Sequence, residues 1–383
     1  MKTVITLLIL LLLSNTLLAN ESKNSDDVDY IALAGILLKD GYYSRADNAL
    51  KSVDLDALEC DKAQYYTLEG LIALKLSAYK RSNKSFYLAI ENGQTQKSLY
   101  LYIAQNSFKL KEYKQTLDAL EHAQELVDKE PKLLALKAEC FYRLKEYTDA
   151  FDTLALINKT HPSYYAAYKQ RFRYLIDLKL YQSALEDADI YLEHTKSDEK
   201  VSISFINALK KAKETKKATL LAEKAHLEYP NNVTITILLA NLYIEQDMIE
   251  SAATLFDLAS LQDEKYIKDS SEIFRRAHDY IQALYKNSQI LDTKEKYKQK
   301  VAIYLEFGNY ERVIATESAL KRNDLLEEQN MIYALAFSFY KVGEFQQSEK
   351  YLQMLTDSKL FTKAIELRKN MNKCTNNPWE CQL

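Results

Sequence analysis

The chain has 383 residues, 29 of them Tyr, yet only 6 Gly and 4 Pro, where average usage would give roughly 27 Gly and 19 Pro. That poverty excludes collagen-like, Pro-rich and Gly/Ser-rich disordered classes. It also argues against a β-sandwich or barrel, whose hairpins need turn residues at short intervals. A net charge of −3 with 41 Lys against 10 Arg gives no global drive toward nucleic acid and no Arg-based phosphate recognition, so no nucleic-acid partner is expected.

At the N-terminus, Met1-Lys2 precedes the apolar run Val4–Leu13, then Ser14-Asn15 and Thr16-Leu17-Leu18-Ala19. A charged start, a short apolar segment and a small residue form the pattern of a secretory signal peptide. The run is about half the length of a membrane span, and Ser14 and Asn15 interrupt it. Residues 1–19 read as a signal peptide cleaved after Ala19, and residues 20–26 as a linker. The mature chain is expected to be exported, to the periplasm in a bacterium, with no integral membrane segment.

From residue 27 onward an internal period appears. Leu110-Lys111-Glu112-Tyr113 returns as Leu144-Lys145-Glu146-Tyr147 and, varied, as Leu178-Lys179-Leu180-Tyr181, with an interval of 34. Steps of that length give six units in phase: 63–96, 97–130, 131–164, 165–198, 199–232 and 233–266. Their eighth place holds Gly70, Ala104, Ala138, Phe172, Ile206 and Ala240; their twentieth holds Ser82, Thr116, Ala150, Ala184, Ala218 and Ala252. Earlier and later units fit at 27–60, 294–327 and 329–362. Small residues at two fixed places are what two antiparallel helices need where they approach most closely.

These places, Tyr79, Tyr113, Tyr147 and Tyr181 at the seventeenth, and Pro162 and Pro230 at the thirty-second resemble the tetratricopeptide repeat family. The resemblance covers most of the mature chain. It implies an all-α, right-handed solenoid of about nine to ten helix-turn-helix repeats. Residues 267–293 break the phase and read as a degenerate helix pair, either a hinge between sub-arrays or a drifted repeat. Residues 363–383 read as a capping helix, Lys363–Asn370, and a tail. There Cys374 and Cys381 flank a turn-forming stretch and would pair in an oxidising compartment.

Six Gly leave no GxSxG, GxGxxG or GxxxxGK motif, and the five His form no metal-binding pair. The chain reads as a non-enzyme with no cofactor and no metal. The resemblance implies that first helices line a concave groove through places two, five, nine, twelve and thirteen of each unit. Those places carry Lys132, Arg143, Lys169, Arg173, Lys200, Asn207, Lys210 and Lys211. This is either a basic ligand patch or ordinary solvated lysine. Tyr333, Phe337 and Tyr340 form an aromatic stripe on the same face of the last unit, suited to a peptide's apolar side chain or to packing against the terminal helix.

The function expected from these features is an exported scaffold. It would bind a protein or peptide partner in its groove, for bacterial envelope assembly, secretion or motility. The second reading is a periplasmic export scaffold for an anionic polysaccharide.

Overall fold

The computed structural model describes residues 28–195, 198–376 and 381; the expected signal peptide 1–19 and linker 20–26 lie outside them. The described residues are helical, with short 3-10 turns and no strand, and the helices follow one another as repeated pairs of an all-α solenoid. They divide into two compact units, one ending at Ala167 and the other starting at Tyr168.

The first unit runs as pairs Tyr30–Lys39/Tyr43–Leu50, Lys62–Lys75/Tyr79–Glu91, Ser98–Lys109/Tyr113–His122 and Pro131–Arg143/Tyr147–Thr160. The second, from Tyr168, holds all but the first two residues of the helix Ala166–Asp177, and its successor Tyr181–His194. It continues as Glu199–Lys211/Thr215–Glu228 and Val233–Ile244/Ile249–Gln262, then Ile267–Arg276/Tyr280–Gln289. Thr293–Glu306 is followed by a second helix broken into Tyr310–Ala315 and Glu317–Arg322. Gln329–Lys341/Phe345–Leu352 and the helix Ser358–Asn376 end the array.

Each first helix stops in the same way. Ser77, Lys111, Lys145, Lys179, Lys213 and Asp247, all 34 residues apart, adopt left-handed backbone with φ between 60° and 67°. Gly41, His278, Gly308 and Gly343 do so in the remaining pairs. Around Ser77, the Ala78 N–H donates to the Ala73 carbonyl at 2.8 Å and the Ser77 N–H to the Leu74 carbonyl at 3.0 Å. The same two bonds recur at Glu112 and Lys111, at Glu146 and Lys145, and onward to Glu344 and Gly343. This is the Schellman closure, which satisfies carbonyls that the helix leaves open and turns the chain back on itself. Glycine accepts this backbone without penalty, but here lysine holds it in four consecutive repeats.

The reversal brings the eighth and twentieth places together. The Ser82 hydroxyl donates to the Gly70 carbonyl at 2.7 Å and the Ser348 hydroxyl to the Ala336 carbonyl at 2.8 Å. In the 267–293 pair the direction is reversed: Ser271, on the first helix, donates to the Ala283 carbonyl at 2.9 Å. At Gly70 a Cβ would stand 2.5 Å from Phe86 Cδ1, so the buried ring fills the space that the glycine leaves. Phe172 and Ile206, large residues at the eighth place, are nevertheless buried, with the Phe172 and Phe205 rings 4.3 Å apart.

A second set of contacts joins neighbouring pairs. Asn106, fully buried, donates from Nδ2 to the Ser82 hydroxyl and to Asn83 Oδ1, both at 2.9 Å, while Asn83 Nδ2 donates to the Ser107 hydroxyl at 3.0 Å. Buried amides of this kind fix register, because any slip leaves them unpaired. Asn83 is thereby withdrawn from the surface.

Residues 267–293 hold two ten-residue helices, and the first packs directly on Ile249–Gln262. One boundary differs from the sequence reading. The terminal helix is Ser358–Asn376, not Lys363–Asn370. It starts inside the span assigned to the 329–362 unit because the second helix of that unit already stops at Leu352. Leu360, Ala364, Leu367 and Met371 then continue one buried stripe against the last pair.

Lys145→Gly should raise unfolding stability by about 0.5–1 kcal/mol, the left-handed penalty relieved exceeding the entropy lost. Gly70→Ala should lower it by about 1–3 kcal/mol, because the Phe86 ring must move. Urea unfolding midpoints check both.

Candidate functional site

The expected basic patch does not stand as a single unpaired surface. Lys132 and Arg143 lie in the first compact unit, and Lys169, Arg173, Lys200, Asn207, Lys210 and Lys211 in the second. Arg143 Nε donates to Glu139 Oε1 at 2.8 Å, one helical turn back. Lys210 pairs with Glu245 at 3.0 Å. Lys169 lies over the Tyr191 ring and Arg173 over the Tyr174 ring. Lys132, Lys200, Asn207 and Lys211 are exposed.

The pairing follows the repeat. Lys210 stands at the twelfth place of its unit and Glu245 at the thirteenth of the next. Arg275 and Glu306 make the same step across the shortened pair, and Lys268 meets Glu295 at 3.1 Å. Some first-helix cations thus stitch neighbouring units. Exposed pairs are each worth about 0–1 kcal/mol, so their main effect here is to cancel local charge. Within the 165–198 unit, Arg171 grips Asp187 from two nitrogens, at 2.7 and 2.5 Å. The Asp187 side chain is only 2% exposed. Burial outweighs the guanidinium and pushes its carboxyl above the ordinary value. This pair is structural, joining the two helices of one repeat.

The aromatic stripe fares differently. On Gln329–Lys341 the spacing i, i+4, i+8 puts Tyr333, Phe337 and Lys341 in one row. The Tyr333 and Phe337 rings stack 6.3 Å apart, and both residues are half-buried against the C-terminal core. Tyr310, at the start of the previous unit's second helix, meets Phe337 edge-on at 5.8 Å. Tyr340 departs from the expectation. One position short of Lys341, it turns toward Phe345, stacks on it at 6.0 Å, and is only 5% exposed. It belongs to the core, while Tyr333 and Phe337 stay at the surface.

Three lysines that the sequence reading passed over complete this face. Lys341 Nζ lies 5.8 Å from the Tyr310 ring centre and 5.9 Å from that of Phe337. Lys363, from the terminal helix, lies 5.8 Å from the Tyr333 ring, and Lys300 lies 6.0 Å from both Tyr297 and Tyr304. None of the three has a carboxylate partner among the described residues. Burial, with Glu366 adding to it, holds the Tyr333 phenol above its ordinary value, so it remains a neutral donor. Lys341 could have been found from sequence, being four residues beyond Phe337, and Lys363 from the expected packing of the stripe against the capping helix that it begins.

The terminal helix is anchored beside this row. Arg368 donates from Nε and Nη2 to Glu349 at 2.8 and 2.9 Å. The tail cysteines Cys374 and Cys381 are joined by a disulfide. Among the described residues no group of three His, Cys, Asp or Glu could hold a metal, and no helix is long and apolar enough to cross a membrane.

Comparison with known proteins gives one family match: residues 209–269 match the Tetratricopeptide repeat profile. No curated protein matches the sequence. Among solved structures, the chain is similar to YrrB, described as a TPR protein with an unusual peptide-binding site, at 20% identity and a TM-score of 0.39, covering 47% of this chain and 91% of that one. It is also similar to a tetratricopeptide repeat protein from Parabacteroides merdae (15% identity, TM-score 0.43, 64% and 97% covered). The third is the C-terminal part of a TPR repeat-containing protein from Cytophaga hutchinsonii (14% identity, TM-score 0.43, 61% and 93% covered).

Arg368 hydrogen-bonding holds the Glu349 carboxyl below its ordinary value of 4.5. A folded value below the unfolded one contributes stability that is full above 4.5 and is lost as pH falls through the folded value. Thermal midpoints should therefore drop on acidification through this range, and Arg368→Gln should flatten that part of the profile. Parallel profiles for both proteins would contradict the assignment.

Proposed function

We propose that this tetratricopeptide repeat protein is an exported scaffold that binds a protein or peptide partner on its first-helix face. The observation that carries this reading is the half-buried row Tyr333–Phe337–Lys341 with Lys363 beside it. It combines apolar area with cations that have no ion-pair partner among the described residues. No motif for catalysis accompanies it. The apolar start of the chain supports export, and the tail disulfide suits an oxidising compartment. Service to envelope assembly, secretion or motility is part of this proposal and rests on the expected periplasmic location.

The anionic polysaccharide reading loses ground. Its support was the basic patch, and Arg143 and Lys210 in that patch are already paired with Glu139 and Glu245. A photo-crosslinking residue placed at Phe337, at Asn207 or at the exposed second-helix residue Leu261, in the native host, tests the reading. Protein adducts should form at Phe337 and not at Leu261. Adducts at Leu261 alone, or none at all, would sink the proposal.

A further inference from the structure

Around Phe337, two lysines lie at the two ends of one stacked ring pair. Lys268, Arg275, Lys294 and Lys298, on neighbouring first helices, each face a carboxylate. Lys341 and Lys363 instead rest over aromatic rings: Tyr310 and Phe337 for the first, Tyr333 for the second. An ammonium over a ring at a solvated surface is held weakly. A charge-assisted hydrogen bond to a carboxylate is the stronger contact and draws the ammonium away. When Lys341 and Lys363 leave, the Phe337 and Tyr333 ring faces are uncovered. Each lysine is thus both a receptor for an anion and a cover over apolar surface.

We infer that the occupant of this face is an internal acidic segment of a partner protein in which an aromatic or large aliphatic side chain is flanked on both sides by Asp or Glu. The inference rests on the scaffold reading above. The flanking carboxylates take Lys341 and Lys363, and the apolar side chain settles on the rings those lysines vacate. The two events assist one another, because each removes a cost of the other. Lys341 lies at one end of the stacked Phe337–Tyr333 pair and Lys363 at the other, which is why the acids must bracket the apolar residue.

The test uses the full chain and a fluorescein-labelled, C-terminally amidated peptide of sequence Gly-Ser-Glu-Glu-Phe-Glu-Glu-Ser-Gly, read by fluorescence anisotropy. The amide removes the terminal carboxylate, so binding reports the internal acids. Binding is expected, falling about tenfold with Lys341→Gln or Lys363→Gln and at least as much with Phe337→Ala. It should also weaken as salt rises from about 50 to about 300 mM. Replacing the peptide's Phe by Ala, or its four Glu by Gln, should each cost more than an independent half of the binding energy, the mark of coupled contacts. Circular dichroism on each variant verifies the fold, and the exposed Lys363→Gln keeps the test decisive if Phe337→Ala is unstable.

Equal binding of a Lys-flanked peptide would overturn the inference. So would indifference to the lysine variants, a Phe-to-Ala peptide that binds as well as the parent, or displacement by polygalacturonate at lower concentration than by peptide. Failure of this peptide together with crosslinks at Phe337 would remove the acidic occupant and leave the scaffold. Absence of crosslinks as well would remove both.

Discussion

Every pair of helices depends on one backbone event, the left-handed residue that closes the first helix. Its position fixes where the chain reverses, and the two hydrogen bonds across it fix the angle at which the second helix returns. Only then do the eighth and twentieth places meet. The buried ring of Phe86 over Gly70, and hydroxyl bonds such as Ser82 to Gly70, follow from that meeting. Lysine at this position in four successive repeats explains how the chain manages with so few glycines. The strain of each left-handed lysine is small beside the burial gained when pairs stack.

Stacking is directed by polar groups as much as by apolar area. Asn83 and Asn106 tie one pair to the next in a site where misalignment would leave amides unsatisfied. Ion pairs one repeat and one residue apart, such as Lys210 with Glu245, perform a weaker version of the same task at the surface.

The repeat and its helix pairs were legible in the sequence because they rest on local rules: small residues at two places and an aromatic at the head of the second helix. The six-step phase of Gly70 through Ala240 carries that information without any tertiary knowledge. The candidate site was legible only in part. Tyr333 and Phe337 followed from helical spacing, but Tyr340 could not be told from them, since one position on a helix turns a side chain by about 100° and here from solvent into the core. Composition along one face does not show how its cations are paired: Arg143 meets Glu139 in its own helix, and Lys210 meets Glu245 in the next repeat. The bounds of the terminal helix were not legible, because the period gives the 329–362 unit its full length while the chain ends that unit's second helix at Leu352 and starts the terminal helix at Ser358.

The contacts that set register in this fold are close in sequence. The hydroxyl bonds from Ser82, Ser271 and Ser348 each join residues 12 apart, and the ion pair Arg81–Asp47 spans 34. Closing loops of that size costs little chain entropy, and no strand must wait for a distant mate. A chain emerging end-first from a ribosome or a narrow channel can thus close each helix pair as soon as its two members are out. It can then stack that pair on the one before, with little apolar surface left waiting for residues still to come.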